Sequence, residues 1–149
     1  MAKSRWNVLL VEDNDDDAFI VERACKKSGV PVTLTRCPDG QQAFDYLQTR
    51  AAEPSALPHL VLLDLKIPLK SGLEVLRSIR ANKKLQELIV VILTSSGESR
   101  DVKDAYRLRA NAYLVKPPSL AGMLEVIQVL RLGWLDRFDA LFDGISGVA

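Results

Sequence analysis

The chain has 149 residues, with 20 lysines and arginines against 19 aspartates and glutamates, for a formal net charge of +1. So even a balance gives no electrostatic ground for binding nucleic acid, and 48% apolar with 26% charged side chains is the composition of a folded domain, not of a disordered tail. No apolar run reaches the ~18 residues that cross a bilayer, and the start, MAKSRWNVLLVEDN, passes from a short apolar stretch straight into acids, unlike a signal peptide.

In chain order, five short apolar runs alternate with stretches of helical periodicity. Asn7–Val11 reads as a first strand, and Ile20, Val21, Ala24 and Cys25 form the stripe of the helix after it. Val32–Cys37 is the second strand; Asp39 is placed to cap the next helix, whose stripe is Ala43, Phe44 and Leu47. Residues 51–58, AAEPSALP, read as a loop before the third strand, Leu60–Leu63. Ser71 with Glu74 has the spacing of a capping box for a helix striped by Leu73, Leu76 and Ile79. Ile89–Leu93 is the fourth strand, Val102, Ala105 and Tyr106 the fourth stripe, Ala112–Val115 the fifth strand, and Leu120, Met123, Leu124 and Ile127 the last stripe.

The first, third and fourth runs are almost continuously apolar, as strands buried on both faces of a parallel sheet are. Strict βα alternation therefore predicts an α/β domain, a doubly wound five-stranded parallel sheet with helices on both faces. Cys25 and Cys37 lack metal-type spacing and sit in apolar-patterned segments, so they are read as buried free thiols. The cytoplasm is the expected compartment.

The chemistry gathers at strand ends. The first strand runs into Glu12 and Asp13, and the third into Asp64. In a doubly wound sheet of order 2-1-3-4-5 these strands are neighbours, and their carboxyl ends form the crevice where such folds bind ligands. Carboxylates that close raise one another's pKa unless a cation joins them. Oxygen ligands with open water positions suit Mg²⁺. Asp15, Asp16 and Asp17 are read instead as solvated acids complementing a helix N-terminus. The fourth strand ends at Thr94-Ser95-Ser96 and the fifth at Val115-Lys116-Pro117, which adds a hydroxyl and an ammonium at the same edge. An acid pair, a nucleophilic acid, a hydroxyl and a lysine together point to metal-assisted phosphoryl transfer.

VLLVEDN (8–14), LVLLDLKIP (60–68) with Gly72, VVILTSS (90–96) and NAYLVKP (111–117) resemble the motifs of the response-regulator receiver family over about residues 5–130. The resemblance implies a flavodoxin-like fold and a signalling phosphoacceptor, not an enzyme, with at most slow self-dephosphorylation. Asp64 would accept a phosphoryl group from the phosphohistidine of a sensor histidine kinase. Glu12, Asp13, Asp64 and the backbone carbonyl of Lys66 would hold Mg²⁺. Thr94 and Lys116 would bind the phosphoryl group, and Tyr113 would be the aromatic that turns inward as Thr94 moves. DLKIPLKSGLEVLRSIR and VIQVLRLGWL are most similar to the short single-domain regulators of bacterial phytochromes. Arg109 departs from the pattern, because a glycine usually stands there to end a helix in the left-handed conformation, so strain or a reshaped loop is expected.

Residues 1–130 are read as the receiver domain and 131–149 as a helical C-terminal extension too short for a DNA-binding domain. Trp134, Leu135, Phe138, Leu141 and Phe142 are spaced like one helical face, and Val126 with Val129 forms a second apolar edge. Both would be exposed on a lone receiver, so the expected assembly is a homodimer through the fourth helix, fifth strand, fifth helix and the extension. The expected output is a stand-alone regulator acting by protein contact, with no nucleic-acid or membrane partner. A phosphorelay intermediate or phosphate sink is the alternative. A metal-dependent phosphohydrolase fits less well, since Lys66 stands where the leaving-group acid is needed.

Overall fold

The structure, a computed structural model, describes residues 6–137. The elements are β1 (Trp6–Val11), α1 (Asp15–Ser28), β2 (Val32–Cys37), α2 (Gly40–Arg50), β3 (Leu60–Leu63), α3 (Gly72–Ala81), β4 (Ile89–Thr94), α4 (Ser99–Arg107), β5 (Ala112–Val115) and α5 (Leu120–Leu130). The 51–58 loop contains one 3₁₀ turn, Pro54–Ala56. All the strands pair in parallel in the order 2-1-3-4-5, as the alternation predicts. The central strands β1, β3 and β4 are buried on both faces over most of their length, which is why they carry nearly continuous apolar runs. β2 and β5 lie at the sheet edges and are only half-buried.

Two apolar clusters flank the sheet. On one face Leu9, Val11, Val61, Leu63, Val90 and Ile92 meet α2, α3 and Ala105 of α4. On the other Val8, Leu10, Leu60, Leu62, Val91 and Leu93 meet α1 and α5. Cys25 and Cys37 are both free and buried within these layers. Burial pushes the Cys25 thiol up to about 11, with the Glu22 charge adding to it.

Four of the five helices start from a side-chain cap, α4 being the exception. Asn14 accepts from the Asp17 amide, Asp39 from Gln42, and Ser119 from Gly122, while Ser71 and Glu74 form the expected box. Two glycines allow the β3–α3 loop to lie close. A Cβ on Gly72 would run into the Asp64 carbonyl, and one on Gly40 would run into the carbonyl of Lys70. The path of the chain beyond Asp64 is thus fixed by backbone on backbone.

The C-terminal helix does not stop at Leu130. It continues through a π-helical turn, Arg131–Leu135, in which the Asp136 amide reaches back to the Arg131 carbonyl. The extra residue moves the inward position after Ile127 and Leu130 to Leu135. Leu135 is only 2% exposed within the α1–α5 cluster, so the expectation that it lies on an open interface face is corrected. Trp134 and Val126 are half-buried against the same cluster, whereas Val129 and Leu132 are exposed. Phe138, Leu141 and Phe142 lie outside the described residues.

Arg109 does adopt the left-handed conformation, with φ of 65°, in place of glycine. Its carbonyl is gripped by Arg80, whose Nε and Nη2 donate to it at 3.2 and 2.8 Å. The remaining Arg80 donors reach the Gln86 and Leu88 carbonyls and Asn111 Oδ1. One guanidinium therefore uses all its N–H groups to tie the end of α3 to the start of β4 and the α4–β5 turn. Arg80→Ala is expected to lower unfolding stability by about 2 kcal/mol through the acceptors it strands. Arg109→Gly, which keeps the accepting carbonyl, is expected to gain about 1 kcal/mol from the relieved backbone. Urea unfolding of both variants measures this, and an Arg80→Ala protein as stable as the parent would contradict the clamp.

Candidate functional site

At the carboxyl edge of the sheet, β1 delivers Glu12 and Asp13 and β3 delivers Asp64 into the crevice between them. One carboxylate oxygen from each of the three lies within 4.8 Å of the others. Glu12 is 2% and Asp64 5% exposed, while Asp13 opens to solvent. Backbone contacts set Glu12: Arg36 Nε donates to its carbonyl at 2.9 Å, and the Asn14 amide donates to its Oε2 at 3.1 Å.

The next two strand ends close on Asp64 itself. Thr94, with no exposed surface, donates its hydroxyl to Asp64 Oδ1 at 2.7 Å. The amide of Lys66 donates to the same oxygen at 3.2 Å, which holds the backbone of that residue beside the carboxylate. Lys116 follows β5 and places its ammonium 2.7 Å from Asp64 Oδ2, 2.5 Å from Glu12 Oε1 and 2.9 Å from Asp17 Oδ2. The five expected side chains, Glu12, Asp13, Asp64, Thr94 and Lys116, are therefore together.

One ammonium stands among four carboxylates. Burial raises the Glu12 carboxyl above its ordinary range, and the Asp64 charge adds to this; the hydrogen bonds from Lys116 and Asn14 pull the other way without prevailing. Burial alone would lower Lys116, but its bonds to Asp64, Glu12 and Asp17 outweigh that and hold it above the ordinary lysine range. The donor set is all oxygen and remains under-neutralised by its lysine, which suits a hard divalent cation.

Tyr113 is half-buried against the α2–α4 face and donates its hydroxyl to the Ser96 carbonyl at 2.6 Å. Burial raises its phenol, so it stays a neutral donor. Ser96 in turn donates to Asp101 at 2.5 Å, and Lys66 Nζ approaches Asp101 at 3.7 Å. Sequence reasoning missed Asp101, Arg36 and the contact made by Asp17. A signal existed for Asp17: it stands four residues before Val21, at the head of the buried stripe of α1. Asp15 and Asp16 are exposed, and Asp15 pairs with Arg36 at 2.9 Å.

With this geometry in view, the comparisons with known proteins agree. The response regulator receiver domain profile matches residues 8–128. The chain is 35% identical over 134 residues to the probable methanogenesis regulatory protein FilR2 of Methanothrix harundinacea, covering 90% of this chain and 86% of that one. It is 38% identical over 130 residues to response regulator Rcp1 of Synechocystis, covering 87% and 88%. The Mn²⁺-bound form of Rcp1 aligns with a TM-score of 0.74 at 35% identity, over 85% of this chain and 91% of that one. The phosphorylated cyanobacterial phytochrome response regulator RcpA aligns with a TM-score of 0.79 at 32% identity, over 90% and 95%.

The raised ammonium has a stability consequence. A lysine held above its unfolded value of 10.5 contributes fully below that pH and loses its contribution as pH rises through the folded value. In metal-free buffer, Lys116→Met is expected to destabilise the protein by about 3 kcal/mol, because it leaves buried carboxylates uncompensated. The gap should hold steady between about pH 7 and pH 10 and close beyond. Urea unfolding across that range measures it, and a gap that widened with alkali would contradict the assignment.

Proposed function

The chain belongs to the response regulator receiver domain family, and from that premise we propose that Asp64 accepts a phosphoryl group from the phosphohistidine of a sensor histidine kinase. The observation that carries this is the meeting of Thr94 and Lys116 on the two oxygens of Asp64, inside the Glu12–Asp13–Asp64 group.

An Asp64 carboxylate oxygen bonds to phosphorus as the phosphorus–nitrogen bond breaks, and the imidazole leaves with the electron pair. Glu12, Asp13, Asp64 and the Lys66 backbone carbonyl would hold Mg²⁺, which would supply positive charge to offset that of the phosphoryl group. Thr94 and Lys116 are already hydrogen-bonded to Asp64 and need only short movements to donate to the new oxygens. The phosphoryl group adds charge at the end of β4. Its pull on Thr94 reaches Tyr113 through Ser96, and the population shifts toward a different α4–β5–α5 face. The likeness to the phytochrome response regulator RcpA supports a phytochrome-type kinase as the partner. Action in the cytoplasm is part of the same proposal. Among the described residues no helix is long and apolar enough to cross a membrane.

The output face is proposed to dimerise. Tyr106 of α4, Val115 of β5, and Val129 and Leu132 at the end of α5 are exposed apolar side chains on these elements, and Val126 and Trp134 border them half-buried. Residues 131–149, Phe138 included, are proposed to take part. Sedimentation over a range of concentrations should show a two-subunit species, and a monomer at high micromolar protein would remove this part of the proposal.

Incubation with acetyl phosphate and Mg²⁺ should add the mass of one phosphoryl group to the wild type and none to Asp64→Asn. A gain that survives that substitution would place the acceptor elsewhere.

A further inference from the structure

Lys116 has three ammonium donors, and each finds a different carboxylate: Asp64, Glu12 and Asp17. Two of these acceptors are committed elsewhere in the function proposed above, on which this inference rests. Asp64 becomes esterified, and Glu12 belongs to the metal ligands. Asp17 alone stands outside both sets. It lies in the first turn of α1, 99 residues from Lys116 in the chain.

The lysine needs such an anchor. Its charge rides on a long flexible stem with many rotamers, and it follows the edge strand β5, which has a neighbour on one side only. When the oxygens of Glu12 and Asp64 are drawn to another cation or to phosphorus, their hold on the ammonium weakens. The Asp17 carboxylate is neither the phosphoacceptor nor in the group that could hold a metal, so that exchange makes no demand on it. At 37% side-chain exposure it is partly shielded, whereas Asp15 is almost fully in water. The Asn14 cap fixes the backbone of Asp17 by accepting from its amide at 2.9 Å.

We propose that Asp17 is a positioning residue, whose carboxylate keeps the Lys116 ammonium over Asp64 while Glu12 and Asp64 are otherwise engaged. It acts through Lys116 and touches neither the phosphoryl donor nor the metal.

The competing explanation is that Asp17 is only one of three first-turn acids that complement the start of a helix. Asp16 separates the two, since it sits in the same turn and makes no contact with Lys116. The reaction to follow is phosphorylation by acetyl phosphate at saturating Mg²⁺. An Asp64 oxygen bonds to phosphorus, the bond from phosphorus to the acetate oxygen breaks, and acetate leaves with the electron pair. Asp17→Asn is expected to slow this about fivefold, the size of one partly exposed charged hydrogen bond. Asp16→Asn is expected to slow it by less than about twofold, as an exposed screened charge does. Asp17→Glu should restore most of the loss, and melting temperatures and Mg²⁺ affinities should be alike for Asp16→Asn and Asp17→Asn. Should Asp17→Asn fold poorly, Asp17→Ser serves as the neutral variant, since serine is well tolerated at a helix start. Equal rates for the Asp16 and Asp17 variants would overturn the proposal, as would a deficit that follows Mg²⁺ affinity alone. A wild type that takes up no phosphoryl group would instead overturn the function on which the proposal rests.

Discussion

Four carboxylates crowd around one ammonium that pairs with three of them, and most of what is specific in this fold serves to keep them there. Repulsion among Glu12, Asp13, Asp17 and Asp64 would drive the ends of β1, α1 and β3 apart. Three of those charges meet on Lys116, and the surrounding backbone is braced by Arg36 on the Glu12 carbonyl and by the Lys66 amide on Asp64. The sheet order makes this possible, since β1 and β3 must be neighbours for their terminal acids to face each other. The close seating of Gly72 on the Asp64 carbonyl and of Gly40 on Lys70 then leaves the loop beyond Asp64 little freedom to relax away.

The same carboxylate is wired to the opposite half of the molecule. Thr94 bonds to Asp64, and two residues later Ser96 accepts from Tyr113 through its carbonyl and donates to Asp101 through its hydroxyl. Asp101 belongs to the first turn of α4 and also faces Lys66 from the β3–α3 loop. Asp64 is therefore bonded to the head of a stretch of three residues whose partners lie on β5, α4 and the loop after β3.

The strands were legible because burial on both faces leaves an unambiguous apolar run. The expected Leu60–Leu63 and Ala112–Val115 match the observed limits, while β1 begins one residue earlier and β4 ends one residue later, at Thr94. The acids at strand ends were legible because parallel topology dictates where carboxyl ends point. Asp17 was not, since three consecutive aspartates look alike to any argument from helix electrostatics, and only the phase of the α1 stripe distinguishes the one that faces the sheet. Asp101 and Arg80 act across turns whose geometry no periodicity encodes. Arg109 was recognised as a departure, yet the compensating grip from Arg80, 29 residues earlier, is a tertiary fact.

The π-helical turn at Arg131–Leu135 carries a geometric consequence of its own. An α-helix advances about 100° in azimuth per residue. One residue taken up by a wider turn therefore re-clocks the described residues after it by that angle. In an unbroken helix the inward position after Leu130 would be Trp134, a bulkier side chain than the Leu135 that is buried in the cluster. The wider turn swaps the two, seating the smaller group and rolling the indole to the flank. The bearing of Trp134 and Leu135 is thus decided by the insertion of a single residue, without any change in their own chemistry.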